Sequence, residues 1–236
     1  MKVGICTPCY GETVHNDHML AAIATDRMAA SMGIELVFYT APGTAILPRV
    51  RNRLVARALA DQCDWVVFID DDIAWEAKDL FKLTQHGVDV VAAGPAKRHH
   101  RWDEQPAAIA KFPKGTITGM MTPVGRLWKM DGVATGFMAI RSTVFEKMEP
   151  VTTPYVTEDT EVRSWFWLDL IKVDAIGTIA GRMEDEGEDY NFCRKWVEVG
   201  GSCWIDPDIR VRHYTGNVCH DICFADMEIK QDAEAA

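Results

Sequence analysis

No apolar run in this sequence is long enough to cross a bilayer. The longest, such as Trp65-Val66-Val67-Phe68-Ile69, have strand length, against the ~20 residues a membrane helix needs. The opening Met1-Lys2-Val3-Gly4-Ile5 soon reaches Glu12 without the apolar centre of a secretory signal, so a cytoplasmic location is expected. Seven cysteines is an odd number with no dense spacing, and reduced thiols are expected in place of a disulfide framework. The glycines form neither a Walker loop nor a dinucleotide fingerprint, and no G-x-S-x-G elbow is present. Positive charge is scarce as well: 25 Lys and Arg stand against 35 Asp and Glu, a net charge of −10. That balance disfavours a grip on long stretches of nucleic-acid backbone, although it leaves room for a local basic site. Repeats and low-complexity tracts are absent.

What is present is an ordinary globular composition, 236 residues with 48% hydrophobic and 25% charged. A chain of this size buries roughly 70% of its unfolded surface, enough for a core without metal or disulfide staples. Hydrophobic patterning alternates between strand and helix. Val3 to Thr7 reads as a buried strand; Asn16 to Met32 reads as a helix, with Leu20, Ile23, Ala24 and Met28 as its buried stripe and Gly33 as its stop. Ile34 to Thr40, Trp65 to Ile69 and Val88 to Ala93 are further strands, separated by helices at Arg49 to Asp61 (burying Val50, Leu54, Ala58 and Leu59) and Glu76 to Gln85. This alternation predicts an α/β fold with a mostly parallel central sheet flanked by helices, and ligands at the carboxyl ends of the strands. Residues 98–130 break the pattern as a long loop or small antiparallel insert. Strand character returns at Val133 to Arg141, a short helix at Ser142 to Lys147, a helix at Asp189 to Val199, and short strands at Cys203 to Ile205 and Ile209 to His213. Residues 150–182 are ambiguous, and 227–236 read as a frayed polar tail.

Asp70-Asp71-Asp72 directly follows a buried strand, so three like charges crowd one place unless a cation joins them. If the stretch is extended, Asp70 and Asp72 project to the same side and can share one ion, or an ion and a ribose. Hard oxygen ligands favour Mg²⁺ or Mn²⁺. The structural alternative is a solvated turn, or a capping cluster for a helix starting near Trp75.

The order of Arg51-Asn52, the Asp triplet and Gly94-Pro95-Ala96-Lys97-Arg98 resembles the donor half of GT-A glycosyltransferases. Further along, Gly187-Glu188-Asp189-Tyr190-Asn191-Phe192-Cys193, Trp204-Ile205-Asp206-Pro207-Asp208 and His213 are similar to elements of family-2-like inverting enzymes. The resemblance implies a GT-A, Rossmann-like sheet with a smaller mixed acceptor-side half. Residues 1–97 would bind the nucleotide sugar, and 98–226 would form the acceptor half of the same domain. Thr7, Pro8 and Tyr10 would line the base pocket, with Arg51 there or at the diphosphate. Asp70, Asp71 and Asp72 would hold the donor, Asp70 on ribose or metal and Asp72 as metal ligand with His213. Asp189, or its neighbour Glu188, would be the catalytic base.

That resemblance implies a UDP- or GDP-sugar donor, Mn²⁺ or Mg²⁺, and a glycan or small hydroxylated acceptor, with a hydroxylated DNA base as the rival. Sugar transfer needs leaving-group charge stabilised and an acceptor hydroxyl deprotonated, which the metal and a helix-start carboxylate supply respectively. Lys97 to Arg101 is a basic stretch suited to a donor phosphate or to nucleic acid. A sugar nucleotidyltransferase is the alternative enzyme, but Thr7-Pro8-Cys9-Tyr10-Gly11 lacks its Gly-rich, Arg-containing loop. Two further readings rank lower: Cys6-Thr7-Pro8-Cys9 as a redox pair, and a zinc site joining Cys6 and Cys9 to Cys219, His220 and Cys223.

Overall fold

The computed structural model describes residues 1–42, 46–94, 110–113, 116–172, 183–215, 218–223 and 225. Its first part alternates as the patterning predicts: β1 (Lys2–Cys9), α1 (Asn16–Met32), β2 (Glu35–Pro42), α2 (Leu47–Ala60), β3 (Trp65–Ile69), β4 (Ile73–Trp75), α3 (Ala77–Gln85) and β5 (Val90–Ala93). The remainder holds β6 (Ala110–Lys111), β7 (Gly119–Thr122), β8 (Gly125–Met130), β9 (Gly132–Val133), β10 (Phe137–Arg141) and α4 (Thr143–Lys147). Then come β11 (Pro154–Thr157), β12 (Thr160–Arg163), β13 (Asp169–Lys172), β14 (Met183–Glu186), α5 (Glu188–Glu198), β15 (Cys203–Asp206), β16 (Arg210–Thr215) and β17 (Val218–Cys223).

An 8-stranded sheet in the order β2-β1-β3-β10-β5-β15-β8-β7 forms the centre. Its pairings correct the expectation of a mostly parallel sheet. β1 pairs in parallel with β2 and β3, and β15 with β5, but β10 runs antiparallel between β3 and β5, and β8 antiparallel to β15 and β7. β8 runs antiparallel to β15 and ends at the amino-end edge, with Met130 opposite Cys203; residues 131–136 carry the chain back across to the carboxyl-end edge, where β10 enters with Phe137 opposite Ile69. It comes from the half expected to face the acceptor and lies inside the sheet of the donor half, so both stretches share one sheet.

Alternation along β3 feeds a core on each face of the sheet. Val66 and Phe68 join Leu54, Met138, Phe145, Phe166 and Phe192 beneath α2 and α5. Trp65, Val67 and Ile69 join Ile5, Trp75, Leu80 and Phe137 beneath α1 and α3. In α2, Val50, Leu54 and Ala58 are buried as expected and Leu59 is half-buried. The α1 stripe is a correction: Leu20, Ile23 and Met28 are exposed, and the helix buries His18, Ala21, Thr25 and Ala29. Small residues let α1 approach the sheet closely, and its buried polar groups are satisfied, Thr25 Oγ1 accepting from the Trp75 indole at 3.0 Å. Gly33 ends the helix in the left-handed region, at φ 67°.

Candidate functional site

The carboxyl ends of β1 and β3 lie side by side because the two strands pair in parallel register. After Ile69 the chain turns at once, the Ile73 amide donating to the Asp70 carbonyl at 3.0 Å, before β4 begins. The Asp triplet therefore sits in a tight turn, which corrects the extended geometry expected for it, and its side chains meet different partners. Asp70 Oδ1 lies 3.2 Å from Arg51 Nη2. Asp72 Oδ1 lies 3.5 Å from Nε2 of the buried His213 on β16, which pairs with β4 opposite Ile73.

Backbone hydrogen bonds pin this turn from several elements. Asp70 donates to the Gly136 carbonyl at 3.1 Å, the Asp71 carbonyl accepts from His15 at 2.8 Å, and the Asp72 carbonyl accepts from Tyr214 at 2.9 Å. His18, which the sequence reading missed, adds a side-chain clamp: its Nδ1 meets the carbonyls of Asp70 at 3.1 Å and Ile73 at 2.9 Å. Carbonyls only accept, so Nδ1 carries the proton. Burial pushes the His18 pKa down and keeps the ring neutral, leaving Nε2 to accept from the buried Thr7 hydroxyl at 3.5 Å. The signal was a polar residue on the face of α1 that actually packs, hidden by the misread stripe.

Arg51 is 2% exposed and joins the two ends of the site. Its Nε donates to Glu188 Oε1 at 3.4 Å, its Nη2 reaches Asp70, and its guanidinium rests over the Phe68 ring at 5.2 Å. Nη1 is buried with no hydrogen-bond partner among the described residues. The next residue, Asn52, clamps β11 and the chain between β12 and β13 onto α2: Nδ2 donates to the Phe166 carbonyl and the Tyr155 hydroxyl, and Oδ1 accepts from the Phe166 amide, each at 2.9 Å.

Glu188 and Asp189 open α5, where the helix dipole favours carboxylates. Burial, then the charge of Glu188, pushes the Asp189 carboxyl up to about 6, with Arg51 opposing the rise. Its Oδ1 accepts from the Tyr190 amide at 2.8 Å. Thr7 and Pro8 are buried at the end of β1, and Tyr10 stands 69% exposed just beyond them.

Lys97, with the rest of Pro95 to Arg101, lies outside the described residues, as do 173–182 and the 227–236 tail. The redox reading of Cys6 and Cys9 fails on environment: burial pushes Cys6 above the thiol range and Cys9 up to about 11, the reverse of an activated thiolate. Among the described residues no three His, Cys, Asp or Glu side chains converge to hold an ion, which leaves the Cys219-His220-Cys223 zinc reading without support. Asp206 is fully buried and held by Lys82 at 2.6 Å and His86 at 2.9 Å, a structural staple between β15 and α3.

No family model matches the chain, and no curated protein does. Among solved structures it is similar to protein A197 from STIV, at 14% identity and a TM-score of 0.53, over 96% of this chain and 92% of that one. A glycosyltransferase involved in the glycosylation of the major capsid of PBCV-1 aligns at 9% identity and a TM-score of 0.34, over 62% and 63% of the two chains. The first likeness is one of fold; the second is too slight to bear on activity.

Proposed function

We propose that the protein is a metal-dependent, inverting glycosyltransferase of GT-A architecture that moves a sugar from a UDP- or GDP-sugar to the hydroxyl of a glycan or small acceptor. The observation that carries this reading is the Arg51 bridge. One buried guanidinium ties Asp70, after β3, to Glu188 at the acidic start of α5, and this supports a reading in which donor-binding and proton-accepting groups would share one site.

Thr7, Pro8 and Tyr10 would form the base pocket, the exposed Tyr10 ring offering a stacking face. Asp70 and Asp71 would contact the ribose and donor, and the unpartnered Arg51 Nη1 suits a diphosphate oxygen. Lys97 would contact a donor phosphate. Asp72 and His213, whose donor atoms lie 3.5 Å apart, would hold the metal. Few protein ligands are expected where substrate phosphates and water complete the shell of Mg²⁺ or Mn²⁺. The ion would stabilise the charge of the departing diphosphate. Asp189, ionised at neutral pH yet more basic than an ordinary carboxylate, would take the acceptor proton, with Glu188 held on Arg51 beside it.

Calorimetry with UDP and GDP, with and without Mn²⁺, tests the reading. Asp72→Ala is expected to lower metal-dependent affinity by about tenfold or more, a loss of ~1.4 kcal/mol, and His213→Ala to lower it less. Unchanged affinity in Asp72→Ala removes the metal role. Absence of nucleotide binding by the wild type under every condition removes the transferase.

A further inference from the structure

Tyr190, Arg194 and Val197 follow one another at helical spacing and form a stripe on α5. Facing them across an open cavity of about 570 Å³ are Asp169, Leu170 and Ile171 of β13 and Glu186 of β14, with Lys111 and Asp131 closing one side. The volume lies in the range of small-molecule sites. Tyr190, which lines the cavity, directly follows the candidate base Asp189 on α5, although Asp189 itself is not part of the lining.

Its polar wall is built in advance. Glu186 is 4% exposed and accepts from Arg194 Nε at 2.9 Å and Asn191 Nδ2 at 3.3 Å. Arg194 Nη2 donates to Asp169 at 2.9 Å. The Tyr190 ring packs on Gly132, where a Cβ would come within 2.7 Å of it. Between these fixed groups lie the apolar surfaces of Leu170, Ile171 and Val197.

The lining selects against several ligand classes. Arg194 is already neutralised by two carboxylates, and the described lining as a whole carries three acidic side chains (Asp131, Asp169, Glu186) against two basic ones (Lys111, Arg194), so a phosphate or nucleic-acid backbone meets net negative charge. A lipid chain would strip water from this charged wall without offering hydrogen bonds in return. A neutral ring with many hydroxyls fits both halves of the wall, donating to carboxylates and laying its C–H face on Tyr190 and the aliphatic side chains.

We infer that this cavity is the acceptor subsite and takes a neutral saccharide, an assignment that rests on the transferase reading above. Saturation-transfer NMR with the methyl glycosides of glucose, galactose, mannose and N-acetylglucosamine tests it on the full chain, alongside the metal-dependent UDP and GDP titration. Val197→Trp, at an exposed position on the rim, fills the cavity; Leu170→Trp, from the opposite wall, repeats the test if the first variant does not fold. At least one glycoside is expected to bind the wild type and to bind the filled variant about tenfold more weakly or worse, with nucleotide affinity unchanged. Absence of glycoside binding, or binding indifferent to both substitutions, overturns the assignment. So does displacement of the glycoside by hydroxymethylated duplex DNA. Glycoside binding without any nucleotide binding overturns the transferase, and the acceptor role with it, leaving a saccharide-binding cavity.

Discussion

Asp189 carries opposed demands. The burial that raises its pKa makes it a better base and a costlier group to keep ionised. A carboxyl whose pKa is raised on folding holds its proton more tightly in the folded than in the unfolded chain. The resulting stability is present below the unfolded value of ~3.9 and is lost as pH rises through about 6. Asp189→Asn, neutral at every pH, is therefore expected to be roughly 1–3 kcal/mol more stable than wild type at pH 7 and no more stable at pH 4, measured by urea denaturation. The same variant should lower turnover by ~10² or more while leaving donor affinity within a few-fold. In the wild type, the acid limb of the turnover–pH profile should titrate near 6 and should vanish in Asp189→Asn; a limb that persists in that variant would remove Asp189 as the base. Arg51 poses the converse case. Arg51→Ala strands Asp70 and Glu188 without their shared cation and is expected to cost roughly 3–5 kcal/mol by chemical denaturation. A loss under 1 kcal/mol would mean that water screens the two carboxylates adequately, and the bridge would no longer carry the site.

At the scale of elements, α1 does more than cover the sheet. It presses His18 against the turn that carries the aspartates, which is why its packed face is small and polar. Ala21→Leu and Ala29→Leu should each destabilise by ~1–3 kcal/mol through overpacking, whereas Leu20→Lys and Ile23→Lys on the exposed side should stay within ~0.5 kcal/mol. Thermal melts of the four variants check the assignment; the opposite pattern would restore the Leu20-Ile23 stripe to the core. The helix was legible, with its ends at Asn16 and Gly33, but its orientation was not. Apolar side chains occur on more than one of its faces, and periodicity reports a helix without saying which face the sheet will accept.

Across the whole molecule, the net charge of −10 is compounded by what holds the arginines of α2. Arg51 is buried between carboxylates, Arg53 pairs with Glu158, and Arg57 lies over the Tyr39 ring and donates to the Thr40 carbonyl. Three of the four arginines of α2 are thus engaged within the fold, and the exposed Arg49 is left as the fourth. Fluorescence anisotropy with unmodified and hydroxymethylated duplex DNA at physiological salt is expected to show no binding tighter than non-specific levels, roughly 10⁻⁴–10⁻⁶ M. Nanomolar binding with a steep salt dependence would revive the DNA acceptor.

From the sequence alone came the alternation of the first part, the burial of β3, and the candidate residues Arg51, Asp70, Asp72, Glu188 and His213 that the fold then pairs with one another. All of these follow from local rules: strand and helix periods, the stop at Gly33, and carboxylates placed where a buried strand must end. Tertiary structure decided what depends on residues far apart in the chain. It reversed β10, which enters the sheet at the carboxyl ends of β3 and β5. It turned the Asp triplet so that Asp70 meets Arg51 and Asp72 meets His213, and it brought Glu188 to an arginine on α2. Those pairings come from how β4, β16 and α5 pack on the sheet, and no pattern within any one of those segments encodes the others' positions.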